Sequence, residues 1–487
     1  GAPTPYNGSS NNLFFMTLLQ AVYSYFSDTT KITMLSPNTP GVDHKGSVIN
    51  LETQGTPAKK FSDIPDSTLS AADKVILNNY LSETGLNKDT NGQLYHTNRG
   101  LVEIAGDGTR YVHTTFQGGN DRVNVIENKG KIIGMNYNDT KHKTEKNIVF
   151  FHSPDWGGNT YNDYQHIYAN AENVNIDMYG EKDVVMLYTA ALKNRGWLAQ
   201  GDVSFINKGS INLYGKENVG IALNTNDYGL VTPNSSFILS KPINIYGDKS
   251  VGIYVLNSGA GIRNAKNVLR FKIGDKSQKG ISYTSTNSLF NSTPLPANSN
   301  DDTNSTYSDK YTEGVIGIYQ DVNDTLKSAL PELTMEAFTR KSVGIYTKSG
   351  NVDIDHGTVA ANKGKISILG GEENVGLYAS GGGISFKGDI EMGGSASTLT
   401  DAITKGFKNT AVYATNGFKV KINKNSTLTD STVVYADKKS EVTLNGENLI
   451  ELETSNKNVT GSTGNNTGIF ADDATVIFGD NSGSSAT

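Results

Sequence analysis

One pattern recurs through most of the chain: an apolar residue, a polar turn, then Val-Gly-Ile-Tyr or a close variant. Its clearest copies are Leu213-Tyr214-Gly215-Lys216-Glu217-Asn218-Val219-Gly220-Ile221, Ile245-Tyr246-Gly247-Asp248-Lys249-Ser250-Val251-Gly252-Ile253-Tyr254 and Gly371-Glu372-Glu373-Asn374-Val375-Gly376-Leu377-Tyr378-Ala379. With Val219 as the marker, equivalents fall at Ile148, Val184, Val251, Lys279, Ile316, Val343, Val375, Thr410, Thr432 and Thr467. The spacing ranges from 22 residues (410 to 432) to 37 (279 to 316). Helical arrays keep a nearly fixed period, whereas a coil of strands accepts turns of different length. Each interval predicts one rung of a β-solenoid.

Residue types say why strands form. Val203-Ser204-Phe205, Ile211-Asn212-Leu213 and Val219-Gly220-Ile221 alternate apolar with small or polar residues, the period of two that turns one face inward. Asn128-Lys129-Gly130, Asn207-Lys208-Gly209 and Asn362-Lys363-Gly364 precede strands of the Ile-x-Ile kind. Such pairs tolerate positive φ, so they predict tight corners. The glycines at 220, 252, 317, 344 and 376 fall inside strands, where they predict a bend or a close approach of stacked backbones.

At 487 residues with 52 Gly and 12 Pro, the chain exceeds the length at which one compact core is usual, a ceiling that a solenoid escapes because each rung meets only its neighbours. A net charge of −6 without a basic stripe argues against nucleic acid as a partner. Cysteine is absent, which excludes disulfides and thiolate metal sites and suits export in an unfolded state. The most apolar run, Leu13 to Phe26, is shorter than the ~20 residues a membrane span needs. Phe15, Leu18, Leu19, Val22 and Phe26 instead follow helical spacing. A second helix is predicted over Ser70 to Thr84, with Ser70 and Asp73 as its capping pair and Gly85 at its stop. Residues 1–110 thus read as a two-helix cap over the exposed end of the coil.

After the marker strands, the later rungs carry short turns, at Lys348 to Asn351, Ser380 to Gly383, Thr415 to Gly417, Asp437 to Ser440 and Asp472 to Ala474. In the earlier rungs the equivalent connections, 152–170, 188–202, 224–236, 256–267 and 283–312, are long. Stacked rungs lie about 4.8 Å apart, so insertions at one corner merge into one surface. The division is therefore a cap over 1–110, loop-bearing rungs over 111–312 as the recognition region, and regular rungs over 313–487.

Candidate ligand-binding residues follow from that surface. Asp155, Trp156, Tyr161, Tyr164 and His166 crowd the first long connection, Trp197 and Tyr228 lie on the next two, and Tyr283, Tyr307 and Tyr311 flank the longest. Flat aromatic rings beside Asp and Asn suit sugar faces and hydroxyls, and equally suit a protein hot spot or the pinning of long loops on the coil. The Asn291 to Asp309 stretch is rich in Ser, Thr, Asn and Asp and reads as a solvated excursion.

Signals for chemistry are weak. Asn87 to Gly92 resembles the first half of a calcium loop, but Asn98 stands where a bidentate Glu belongs. Gly479-Asp480-Asn481-Ser482-Gly483 lacks partners for a nucleophilic serine. A polysaccharide lyase or hydrolase on this fold needs clustered acids and bases, and the candidates are only Asp472-Asp473, Asp301-Asp302 and the scattered His113, His152, His166 and His356. The expectation is no enzyme, no cofactor and no metal.

The Val-Gly-Ile-Tyr repeats, followed by turns such as Ala379 to Gly381 and Ala414 to Gly417, resemble the passenger domains of the large type V autotransporter adhesins of fusobacteria over about residues 120–487. The resemblance implies a right-handed parallel β-helix on the outer surface of a bacterium, binding a host receptor protein or glycan and partner bacteria. It transfers no binding residues. A signal sequence and C-terminal membrane barrel are not seen, so the chain is expected to be the N-terminal part of a longer passenger, anchored through a barrel outside it. The sequence reading is thus an all-β, right-handed parallel β-helix with an N-terminal α-helical cap and long loops on one corner of its early rungs, acting as an extracellular, non-catalytic adhesin fragment. The competing reading is a stalk that spaces a distal binder.

Overall fold

The computed structural model describes residues 15–17, 23–29, 31–35, 48–51, 61–84, 93–106, 108–114, 123–137, 146–152, 164–189, 201–224, 235–256, 268–281, 283–285, 290–291, 311–328, 330–354, 364–392, 408–416, 419–427, 432–444, 448–450 and 467–479. It divides into two units, Gly1–Pro242 with Leu256–Lys266 and Ser282–Leu295, and Ile243–Val255 with Asn267–Ile281 and Pro296–Thr487. Each is a parallel β-helix.

In the first unit the strands wind through three sheets. Gln93–Asn98, Val123–Asn128, Tyr164–Asn170, Gly201–Asn207 and Ser235–Leu239 stack in one. Leu101–Ala105, Lys131–Gly134, Asn175–Met178 and Ser210–Leu213 form the second. Val48–Leu51, Arg110–Thr114, Ile148–His152, Val184–Thr189 and Val219–Asn224 form the third. Their inner faces meet in an aromatic core, where the Phe150 ring lies 5.6 Å from Tyr168 and 6.3 Å from both Tyr111 and Phe205.

The coil starts earlier than the repeat suggests. Phe15–Thr17 and Tyr23–Phe26, expected as an amphipathic helix, are strands that pair with Val48–Leu51 and Gln93–Asn98. Spacing compatible with a helix is overridden because Phe26 reaches the dry interior, 5.6 Å from the His96 ring and 6.4 Å from Tyr111. The helix expected at Ser70 does form, as Ala71–Thr84, with the Asp73 amide donating to Ser70 Oγ at 3.2 Å. It does not close an end of the coil. It lies along the outer face of the first sheet, where Leu77, Tyr80 and Leu81 bury against Tyr95, Val125, Ile167 and Ile206.

The marker register holds, with Val184 paired to Val219, and Val343 to Val375, Thr410, Thr432 and Thr467 in turn. Lys279 breaks it. That residue sits in a turn closed on the Asp275 carbonyl, and the Ile316 amide donates directly to Ser250 O, so Val251 and Ile316 belong to consecutive rungs. The marker valines Val219, Val251, Val343 and Val375 are themselves only half-buried. The dry positions flank them. Asn218, Ser250, Ser342 and Asn374 one residue before are buried, as are Ile221, Ile253, Ile345 and Leu377 two residues after. Two residues before the marker, Lys182, Glu217, Lys249, Lys341, Glu373 and Lys408 hold φ between 49° and 57°, which turns the chain so that the next side chain points in.

The asparagines of Asn98-Arg99-Gly100, Asn128-Lys129-Gly130 and Asn207-Lys208-Gly209, joined by Asn170 ahead of Ala171-Glu172, do something other than supply positive φ. Asn98 Nδ2 donates to Asn128 Oδ1 at 3.0 Å, Asn128 to Asn170 at 2.9 Å and Asn170 to Asn207 at 3.0 Å, a buried amide ladder at one corner of the first unit. The glycine is needed for room, since a Cβ at Gly130 would lie 2.2 Å from Gly100 O and one at Gly209 2.3 Å from Ala171 O. The strand glycines of the second unit mark a close backbone approach, as expected: a Cβ at Gly317, Gly344 or Gly376 would meet the carbonyl oxygen of the next rung at 2.6–2.7 Å.

Candidate functional site

Parallel register decides where the long connections of the first unit depart. Thr114, His152 and Tyr188 stack at the ends of third-sheet strands, and Thr189 stacks on Asn224. The chain re-enters the first sheet at Val123, Tyr164, Gly201 and Ser235, again on stacked strands. Connections 115–122, 153–163, 190–200 and 225–234 therefore leave and rejoin at one corner. The step from Leu256 to Val268 is also long, and the later ones, in the second unit, are tight, from Ala379 to Gly382, Asp437 to Glu441 and Asp472 to Thr475. Asp155, Trp156, Tyr161, Trp197 and Tyr228 belong to these connections and lie outside the described residues, as does Tyr307. The stretch 283–312 is not one of them, because it follows Val268–Ile273 and precedes the third-sheet strand at Ile316.

The other candidates scatter. Tyr164 opens a strand, and its side chain lies outside the described residues. His166 is inside the coil rather than on a loop, at 1% exposure, with its ring 4.7 Å from His152. Burial pushes its pKa down to about 3, so it is neutral and out of reach of a ligand. Tyr311 is also buried, its ring 5.0 Å from the Arg340 guanidinium carbon and 5.7 Å from Phe338, while Arg340 Nη2 reaches Glu313 Oε2 at 2.9 Å. Its ring is thus packed into the coil rather than displayed on a loop. Tyr283 is half-buried and donates to Glu103 Oε1 at 3.1 Å.

A groove absent from the sequence reading runs between the helix and the corner of the coil. The middle residue of each corner motif points outward, and the amide ladder aligns Arg99, Lys129, Ala171 and Lys208 in one column. The helix meets that column with acids. Asp73 binds Lys129, and Arg99 Nη2 at 3.3 Å, while Glu83 Oε1 lies 2.5 Å from Lys208 Nζ. Burial alone would raise the Asp73 pKa, but the Lys129 hydrogen bond and charge, with Arg99, outweigh it and hold it below the usual carboxylate range. Between helix and column lies a cavity of about 680 Å³, floored by Ile76, Ala171 and Val174 and edged by Asp28, Glu172 and Lys208. Apolar floor and charges of both signs suit a polar ligand with donors and acceptors. The basic middle residue of Asn-x-Gly was the sequence signal for this groove.

Of the residues weighed for catalysis, His152 and His166 come together, their rings 4.7 Å apart and buried inside the coil. Asp473 occupies a left-handed turn at φ 49°, His152 and His166 face the interior, and Asp301, Asp302, His356 and the His113 side chain lie outside the described residues. Among the described residues no group of three or more His, Cys, Asp or Glu gathers as for a metal, and no helix is long and apolar enough to cross a membrane. Compared with known protein families, curated proteins and solved structures, the chain matches none.

Proposed function

We propose that this chain is a non-catalytic adhesin fragment, a passenger of the fusobacterial autotransporter kind displayed on the bacterial surface, which attaches to a host receptor protein or glycan and to partner bacteria. One observation carries the reading: the first unit gathers four long connections at one corner, where the later rungs of the second unit make tight turns. A pure spacer gains nothing from such an asymmetry, whereas a rigid coil that aligns variable loops is a platform for recognition. Two of those connections carry the chain's only tryptophans, Trp156 and Trp197.

Binding of the purified chain to host cells, receptor ectodomains and a glycan array tests this. Trp156→Ala with Trp197→Ala is expected to weaken adhesion by more than about tenfold, the scale of one or two aromatic hot spots, with the circular dichroism melt unchanged. Shortening the plain turn at Asp437 to Ser440 is expected to leave binding intact. An equal loss from both changes, or none from the tryptophan pair, overturns the reading.

A further inference from the structure

The outer face of the second sheet in the first unit is polar and yet dry. One outward column reads Glu103, Ile133, Asp177 and Asn212 in parallel register, and its two carboxylates are 2% and 6% exposed. Part of the cover is the Tyr283–Ser285 segment. Tyr283 Oη donates to Glu103 Oε1 at 3.1 Å and Ser285 Oγ donates to Oε2 at 2.9 Å. Lys131 Nζ lies 5.2 Å from the centroid of the Tyr283 ring. Further along, Phe290–Asn291 pairs antiparallel with Asn136–Tyr137, just past the Lys131–Gly134 strand.

A desolvated carboxylate is costly unless hydrogen bonds replace its water. Here a phenol and an alcohol supply them, beside a ring that meets a cation. A sugar offers the same groups, hydroxyl donors around an apolar ring face. The site continues beyond Glu103, with Asp177 accepting from Asn212 Nδ2 at 2.7 Å and the Tyr179 and Tyr214 rings stacked 4.7 Å apart. Burial raises the Tyr179 hydroxyl pKa, and the charges of Asp177, Tyr214 and Tyr283 add to it. Glu103 and Asp177 are two rungs apart, about 9.6 Å.

The cover on this face differs in kind from the helix on the first sheet. Lifting the helix would expose Leu77, Leu81, Val125 and Ile167 to water, which the hydrophobic effect opposes. Lifting Tyr283 and Ser285 chiefly exchanges hydroxyl donors at a carboxylate, and one hydroxyl for another is close to neutral. We propose that this face is a binding cleft for a neutral oligosaccharide, and that Tyr283 and Ser285 occupy it as an internal surrogate that the ligand displaces. The cleft is separate from the tryptophan-bearing corner and does not depend on the adhesin reading.

Two forms of the full chain test it, Tyr283→Phe/Ser285→Ala and a replacement of 283–291 by a glycine–serine linker of equal length. Calorimetry with maltohexaose, cellohexaose and chitohexaose is the readout. Both forms are expected to bind at least one of these at least about tenfold tighter than the unaltered chain, because removing a competing occupant raises the competent fraction. Adding Glu103→Gln and Asp177→Asn to the Tyr283→Phe/Ser285→Ala form is expected to abolish the gain. No gain in the linker form, where the surrogate is gone by construction, overturns the proposal, as does a gain that survives loss of both carboxylates.

Discussion

Tyr80 on the helix donates its hydroxyl to Glu127 Oε2 at 2.7 Å, a bond between residues 47 apart in sequence and fully buried at both ends. Tyr95 Oη at 2.5 Å and Thr97 Oγ1 at 3.2 Å converge on the other carboxyl oxygen. The helix is therefore keyed to the coil by a polar contact inside an apolar interface, which fixes its position along the sheet as dispersion alone would not.

Tyr80→Phe keeps the ring and removes the donor, leaving a buried carboxyl oxygen one bond short. The expected cost is about 1–3 kcal/mol, felt locally. Hydrogen exchange over Ala71–Thr84 should speed up while Val123–Asn128 stays protected. Unchanged exchange in the helix would mean that Leu77 and Leu81 hold it unaided.

Asn128 both accepts from Asn98 and donates to Asn170. Asn128→Ala breaks the ladder in two places at a cost of at least about 2 kcal/mol, and Asn128→Asp, which sets a carboxylate against the Asn170 oxygen, costs no less. Urea unfolding of the two variants checks this. A loss below half a kcal/mol in both would show that water replaces the ladder freely.

Position within the marker strand sets the penalty for a charge in the second unit. Ile345 is fully buried and Val343 half-buried, although only two residues separate them. Ile345→Asp is expected to destabilise by about 4 kcal/mol or more and Val343→Asp by about 1–2 kcal/mol. Thermal melts that reverse this order would refute the inward assignment of the second position after the marker.

Acid should loosen the first unit through its interior histidines. Burial pulls His96 and His166 from 6.5 down to about 3, so the fold keeps both neutral while the unfolded chain takes up protons near pH 6.5. Their contribution is complete above that pH and is lost as the pH falls toward 3, at about 1.4 kcal/mol per pH unit for each ring. Unfolding midpoints measured from pH 7 to about pH 4.5 should fall, and fall less in a His96→Gln/His166→Gln variant. Equal slopes in the two proteins would exclude these rings as the cause.

Much of the coil is legible because its signals are local. Alternation in Ile211-Asn212-Leu213, the marker spacing and the glycines at 317, 344 and 376 each report a condition met within one rung or between neighbours. The error at Lys279 has the same origin: a template match says nothing about whether the chain is in a strand, and there a turn on Asp275 O takes over.

The sequence by itself determined the parallel coil, the Ala71–Thr84 helix and the contrast between long and short connections, because period two, a Ser70 cap and the distance between markers are written in adjacent residues. Tertiary structure alone decided the rest. Phe15–Thr17 and Tyr23–Phe26 became strands because a buried site for Phe26 outweighs helical spacing, and Asn98, Asn128, Asn170 and Asn207 became a ladder because stacking brings amides 30 to 42 residues apart within 3 Å. His166, Tyr283 and Tyr311 are alike in sequence as polar aromatic residues near loops, yet one faces the core, one seals a buried carboxylate and one lies buried under the Arg340 guanidinium. Which face a side chain presents depends on the rungs above and below it, and those neighbours are set by register rather than by any residue next to it in the chain.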